Sequence, residues 1–141
     1  MQDFFEDIDR FNQIYRLPRP EAPQDLGAER LKNFKDILAE ELEEVDEIIS
    51  AYQGDSTADE QASLARLTEV ADWLGDIVVY CSSEARRWGL PMDRILRVIM
   101  ESNFSKLDAE GNPIYDERGK VMKGPNYWKP EPKIEAELQK H

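Results

Sequence analysis

The chain has 141 residues, about the length of one domain with a single hydrophobic core. Thirty Asp and Glu residues against eighteen Lys and Arg give a net charge of -12, which repels DNA, RNA and anionic membrane surfaces. The charge therefore argues against a polymeric nucleic acid as partner. It leaves room for a small phosphorylated ligand, because divalent cations held by carboxylates can reverse the field at a site.

The sequence also bears on the cellular compartment. No segment approaches the roughly 18 uncharged apolar residues that a membrane span requires, and the acidic start "MQDFFEDIDRF" is unlike a signal peptide. The single cysteine, Cys81, lies in an apolar run and cannot form an intrachain disulfide. We therefore expect a soluble, cytoplasmic protein without a membrane partner.

Apolar residues at helical spacing predict four helices. The Pro-rich connector "LPRPEAPQ" follows the first helix, and Thr57 with Glu60 matches a capping box at the start of the third. Pro at the first turn is favourable for the fourth helix. The four predicted segments are residues 1–16, 27–52, 57–89 and 91–104.

The character of the sequence changes after the fourth helix. Two successive octads, "DAEGNPIY" and "DERGKVMK", each open with Asp-x-x-Gly and predict two turns around a short β-hairpin. We expect an all-α bundle of about four helices, completed by oligomerisation, with a small C-terminal hairpin. The whole chain, 1–141, is predicted to be one domain, with an N-terminal helix and connector (1–26), a helical core (27–106) and a hairpin and tail (107–141).

The segment "LAEELEEVDEII", Leu38 to Ile49, places six acids among the twelve residues of an amphipathic helix. At about 100° per residue, Glu41 falls inside the apolar stripe of this helix, and Glu40 and Glu44 fall at its edge. The other three acids point away from the stripe and form an ordinary solvated face: Glu43, Asp46 and Glu47.

The third helix carries a second group of acids. Glu69, Asp72 and Asp76 fall within a sector of about 60° and form one stripe. The remaining surface of this helix is apolar almost all round, as expected for a helix that is buried on most sides. The stripe therefore faces either water or another acidic group.

Each of the two helices carries a pair of acids three residues apart, Glu41 with Glu44 and Glu69 with Asp72. If the helices pack side by side, four carboxylates converge, and without a partner they would cost several kcal/mol each or take up protons. A hard divalent cation, Mg²⁺ or Mn²⁺, removes that cost. Iron and zinc are disfavoured because the sequence has one histidine, His141, and one cysteine.

At these residues the sequence resembles the MazG-like and phosphoribosyl-ATP pyrophosphohydrolase superfamily of all-α nucleoside triphosphate pyrophosphohydrolases. The family signature, EExxE followed after a gap by ExxD, stands here as "EELEE" and, 24 residues later, "EVAD". The stretch "ESNFSKLDAEGNPIYDERGKVMKGPNYWKP" is similar to the C-terminal region of a MazG-like subgroup. The resemblance covers roughly residues 27 to 130.

The resemblance implies Mg²⁺-dependent cleavage of a nucleoside triphosphate between the α and β phosphates, which yields a monophosphate and pyrophosphate in a house-cleaning or nucleotide-pool role. It also implies a homodimer or homotetramer. Mn²⁺ is an alternative cation. The residues that match the catalytic and metal-ligand positions are Glu41, Glu44, Glu69 and Asp72, and Asp76 on the same stripe adds an oxygen ligand or orients a water.

Other residues are candidates for substrate binding. Asn103 and Lys106 match the phosphate-contacting element of the family, although a polar helix end is an alternative explanation. Lys120 and Lys123 either bind phosphates or keep an edge strand soluble. Four residues are candidates for contacting the base, although aromatic residues at helical spacing also occur in cores: Trp73, Tyr80, Asn126 and Tyr127.

Two other functions stay open at this point. One is phosphoribosyl-ATP hydrolysis in histidine biosynthesis, which belongs to the same class of enzyme. The other is a non-catalytic helical interaction module whose acids form a solubilising surface. The position of Glu41 in an apolar stripe argues against the module.

Overall fold

The computed structural model describes residues 3–54 and 59–140. The fold is all-α, as predicted: the described residues form five helices and no β-strand. The chain divides into two compact units. The helices are α1 (Phe4–Ile14), α2 (Gly27–Gly54), α3 (Glu60–Arg87), α4 (Met92–Phe104) and α5 (Glu131–Leu138).

The first unit comprises α1, α2 and α3, in the chain up to Pro20 and in Gln24–Trp88. Aspartates cap two of its helices, because a short carboxylate can accept hydrogen bonds from the free N–H groups of a first turn. Asp3 accepts from Phe5 N at 2.8 Å at the start of α1. Asp59 accepts from Gln61 N at 3.0 Å at the start of α3. The predicted capping residue of α3, Thr57, lies outside the described residues.

Two polar contacts pair α2 with α3. The Trp73 indole Nε1 donates a hydrogen bond to the Glu41 backbone oxygen at 2.7 Å. Near the other end of the pair, the Arg30 guanidinium donates two hydrogen bonds to the Glu84 carboxylate, one of them from Nε at 3.0 Å. A residue early in α2 therefore meets one late in α3, which makes the helices antiparallel.

Buried polar groups attach α1 and the Pro-rich connector to α3. Asn12 is fully buried, and its amide donates to Ser83 O at 3.2 Å while its oxygen accepts from Ser83 Oγ at 2.6 Å. Asp9 accepts hydrogen bonds from Arg19 of the connector and from Arg86 of α3. Arg86 also donates to the connector carbonyls. These bonds fix α1 and the connector against one side of α3.

Large apolar side chains on α2 and α3 remain exposed although both helices are long. Leu64 of α3 is 66% exposed and Leu31 of α2 is 58% exposed. In the described part of the chain the buried apolar residues are few: Ile8, Ala85, Ile95 and Val98. The sequence of α3 is apolar almost all round, but a single chain does not bury this helix on most sides.

The second unit comprises Glu21–Pro23 and the chain from Gly89 onward, with α4 and α5. Arg94 of α4 forms an ion pair with Glu137 of α5 at 2.9 Å. The number of helices was predicted as about four and is corrected to five among the described residues, because α5 was not predicted. This helix is eight residues long, and its large apolar residues are Ile134 and Leu138, too few to give a clear helical pattern in the sequence.

The predicted hairpin is not confirmed. Its segment contains an isolated antiparallel bridge between Tyr115 and Val121, without strands among the described residues. Asp108 and Asp116 each form the same compact turn, in which the carboxylate accepts two backbone N–H groups. The two Asp-x-x-Gly octads therefore form paired turns, and the chain between them is too short to make a regular ladder.

Gly124 joins the loop after these turns to the end of α4. Its N–H donates to Lys106 O at 2.7 Å, and a Cβ atom at this position would lie 2.2 Å from Leu107 O. Ser102 Oγ donates to Trp128 O at 2.9 Å beside it. Only glycine fits such a close approach of two backbones.

Within the described residues, none of the helices combines the length and the apolar composition needed to cross a bilayer. The cytoplasmic location and the single-domain organisation stay predictions.

Asp9 generates a prediction about acid stability. Its hydrogen bond with Arg19 is the largest cause that lowers the Asp9 pKa from 3.8 to about 2, against the opposing effect of burial. The stabilisation of the folded protein by the ionised Asp9 carboxylate is therefore complete above about pH 4, and it is lost as the pH falls through about 2. We expect the difference in Tm between wild type and Asp9→Asn to narrow between pH 4 and pH 2. Asp36→Asn, at an exposed site of α2, is the control, and a constant difference for Asp9→Asn would contradict the prediction.

Candidate active site

Glu41 lies where α2 packs against α3, and the residue is only 9% exposed. Its carboxylate oxygen Oε2 is buried and has no hydrogen-bond partner among the described residues. A carboxylate oxygen that leaves water without gaining a partner costs free energy, which a cation would offset. The burial agrees with the predicted position of Glu41 inside the apolar stripe.

Two further side chains interact with Glu41, and Asp76 acts on both of them. The negative charge of Glu41 raises the pKa of Glu44, and burial and a hydrogen bond with Glu41 add to the effect. The charge of Glu41 also raises the pKa of the Tyr80 hydroxyl, and burial adds to the effect. Asp76 raises both pKa values further. We refer to Glu41, Glu44 and Asp76 as the acidic cluster, with Tyr80 beside it.

The chemistry of these groups fits a hard divalent cation. Carboxylate oxygens are the donors that Mg²⁺ and Mn²⁺ prefer, and Glu41 Oε2 lacks a partner. Within residues 3–54 and 59–140, however, no group of three or more carboxylate, thiol or imidazole side chains is arranged to hold a metal ion. The predicted metal site therefore stays a prediction.

Asp76 is the α3 carboxylate whose charge acts on Glu44 and Tyr80. Glu69 and Asp72 are exposed on the same helix. Trp73 is half-buried, and its N–H is used by the hydrogen bond to the Glu41 backbone. The roles predicted for Glu69 and Asp72 as ligands and for Trp73 as a base contact stay predictions.

A pocket of about 400 Å³ lies between α1, α2 and α3, and one residue of the acidic cluster, Asp76, lines it. Asp76 and Tyr80 form its acidic end. The middle of the pocket is lined by apolar side chains from all three helices and the connector, and its volume is typical of a site for a small molecule. The apolar lining consists of Phe11, Leu17, Phe34, Ile37 and Val79.

The opposite end of the pocket carries two arginines and one carboxylate. Glu84, which is 7% exposed, accepts hydrogen bonds from Arg30 and, at 2.8 Å, from Trp88 Nε1. Arg87 Nε lies 3.9 Å from the same carboxylate. Burial, followed by the positive charge of Arg30, lowers the pKa of Arg87. The pocket therefore has a negative end and a positive end with an apolar middle.

The candidate substrate residues of the second unit lie around the Gly124 contact. Asn103 is exposed near the end of α4, and Lys106 is half-buried just after that helix. The Lys123 ammonium lies 4.9 Å from the centre of the Tyr127 ring. The remaining two, Lys120 and Asn126, are exposed. Nothing in these positions tests their predicted contacts with phosphate or base.

Sequence reasoning missed the positive end of the pocket. Arg30 lies eleven residues before Glu41 and on the same side of α2, and Glu84 and Arg87 continue the side of α3 that carries Asp76 and Tyr80. The helical period that places Glu41 in the apolar stripe also places these residues on the sides of α2 and α3 that face the pocket.

Comparisons with known proteins add one finding about the fold. No protein-family model and no curated protein matches the chain. Among solved structures, the crystal structure of a "putative NTP pyrophosphohydrolase" from Exiguobacterium sp. 255-15 matches with a TM-score of 0.50 and 23% sequence identity, over 98% of this chain and 95% of that chain. At this identity the match supports a shared all-α fold, which is consistent with the resemblance to the MazG-like superfamily.

Proposed function

We propose that the protein is a divalent-cation-dependent hydrolase that cleaves a nucleoside triphosphate between its α and β phosphates, giving a monophosphate and pyrophosphate. The observation that carries the proposal is Glu41, a buried carboxylate with an oxygen that lacks a hydrogen-bond partner among the described residues. Its charge and that of Asp76 both act on Glu44, and Asp76 lines one end of a pocket.

The acidic cluster would hold the cation, Mg²⁺ or Mn²⁺, through carboxylate oxygens. Asp72 and Glu69, one and two turns before Asp76 on α3, are proposed as further ligands. When bound, the cation neutralises charge on the polyphosphate and acidifies a water molecule. The repulsion that raises the Glu44 pKa is the cost of holding these carboxylates together, and a cation would relieve it.

The pocket would bind the nucleoside. Its apolar middle can take up the base and sugar, while Asp76 and Tyr80 border the acidic cluster, where the phosphates would be processed. The Trp73 hydrogen bond to the Glu41 backbone holds α2 and α3 in register at this point. Water is the proposed nucleophile.

Six residues of the C-terminal part of the chain are proposed as phosphate and base contacts. We propose Asn103, Lys106, Lys120 and Lys123 for phosphate, and Asn126 and Tyr127 for the base. Support comes from the Gly124 hydrogen bond, which joins the "SNFSKL" and "KGPNYW" segments. A house-cleaning or nucleotide-pool role in the cytoplasm is part of the same proposal.

A second copy of the chain would cover the exposed apolar side chains of α2 and α3, among them Leu31, Leu42, Leu64 and Leu67. We therefore propose a homodimer, or a homotetramer built from it. Light scattering of the purified protein should give at least twice the 16.4 kDa mass of one chain. A stable monomer at micromolar concentration would contradict this part of the proposal.

The activity is tested with a panel of nucleoside triphosphates in the presence of Mg²⁺, and the products are identified by ³¹P NMR. We expect equal amounts of monophosphate and pyrophosphate from at least one substrate, and loss of activity on chelation that Mn²⁺ or Mg²⁺ restores. Diphosphate with inorganic phosphate would indicate cleavage at the other anhydride. The absence of any hydrolysis across the panel would favour the non-catalytic module.

A further inference from the structure

The hydrogen-bond donors at the positive end of the pocket bear on which base the pocket would prefer. We propose that Arg87 binds the O6 carbonyl oxygen and N7 of a purine base, so that the pocket prefers hypoxanthine and guanine to adenine. This inference rests on the proposed function, because it takes the ligand of the pocket to be a nucleoside.

The strongest acceptor at this end of the pocket, the Glu84 carboxylate, is already engaged. Both of its oxygens accept hydrogen bonds from Arg30, and one of them also accepts from Trp88. An exocyclic amino group of a base would therefore compete with Arg30 and Trp88 for this carboxylate.

The Arg87 guanidinium, in contrast, has N–H groups that can donate hydrogen bonds to a ligand. Its contact within the described residues is the ion pair with Glu84 at 3.9 Å, which is longer than a hydrogen bond, and its side chain is 23% exposed. Two guanidinium groups share the one carboxylate, so positive charge remains uncompensated in a partly buried place. A guanidinium carries donors and no acceptor, and its fork matches the O6 carbonyl oxygen and the adjacent N7 of guanine and hypoxanthine, whereas adenine places an amino donor where O6 would be.

The length of the pocket fits this assignment. Asp76 and Arg87 are separated by eleven residues, or about 16 Å along α3. A helical side chain leans toward the N-terminus of its helix, so the guanidinium of Arg87 extends back toward the apolar middle of the pocket. The order acidic cluster, apolar middle and guanidinium matches the order phosphates, sugar and base edge of a nucleotide.

The test uses nucleosides without phosphates and without metal, so that it does not depend on hydrolysis. Dissociation constants are measured by NMR titration for inosine against adenosine, a pair that differs by a carbonyl or an amino group at C6. We expect wild-type protein to bind inosine about tenfold more tightly than adenosine. An equal or reversed preference, or no binding of any nucleoside, would overturn the inference.

Two variants and a control assign the preference to Arg87. Arg87→Met removes the donors, and Arg87→Gln offers both a donor and an acceptor, so both should lose the preference. Arg97→Met, at an exposed site on α4, should keep it. A preference that survives in a folded Arg87 variant would overturn the role of Arg87. Hydrolysis without a base preference would overturn this inference alone, whereas a base preference without hydrolysis would overturn the proposed reaction.

Discussion

The antiparallel pairing of α2 with α3 is the constraint on which the candidate site depends. The Trp73–Glu41 hydrogen bond fixes the pairing at one level, and the Arg30–Glu84 ion pair fixes it about eleven residues away. Between these two levels the helices leave a pocket rather than a continuous interface, and α1 closes one side of it. The pairing therefore determines the separation of the acidic and positive ends.

The pairing of α2 with α3 buries two carboxylates, Glu41 and Glu84, and hydrogen bonds offset the electrostatic cost of burial at Glu84. Glu84 is buried, but its hydrogen bonds with Arg30 and Trp88 lower its pKa against the opposing effect of burial. Glu41 is buried to a similar degree, and it raises the pKa values of its neighbours. One carboxylate is thus compensated by the protein itself, whereas an oxygen of the other has no hydrogen-bond partner among the described residues. That contrast distinguishes a structural ion pair from a candidate cation site.

The sequence predicted the all-α fold and the inward position of Glu41, because both follow from periodicity within single helices. It did not predict α5, whose stability comes from packing on α4 and whose own apolar pattern is weak. It also did not predict that Asp76 is the α3 carboxylate acting on Glu44, because that depends on how far α3 slides along α2. The register between two helices is set by long-range contacts such as Trp73 with Glu41, which a spacing pattern cannot contain.

Thermal melts with and without Mn²⁺ test most directly whether Glu41 helps to hold a divalent cation. A cation that binds only the native state adds RT ln(1 + [L]/Kd), about 2.7 kcal/mol at a hundredfold excess over Kd. Mn²⁺ should raise the Tm of wild type and should raise the Tm of Glu41→Gln much less. Glu43→Gln, at an exposed site on the same helix, is the control and should respond to Mn²⁺ as wild type does. Without metal, Glu41→Gln should melt no lower than wild type, because it removes a buried charge. An equal rise in all three proteins would contradict the account.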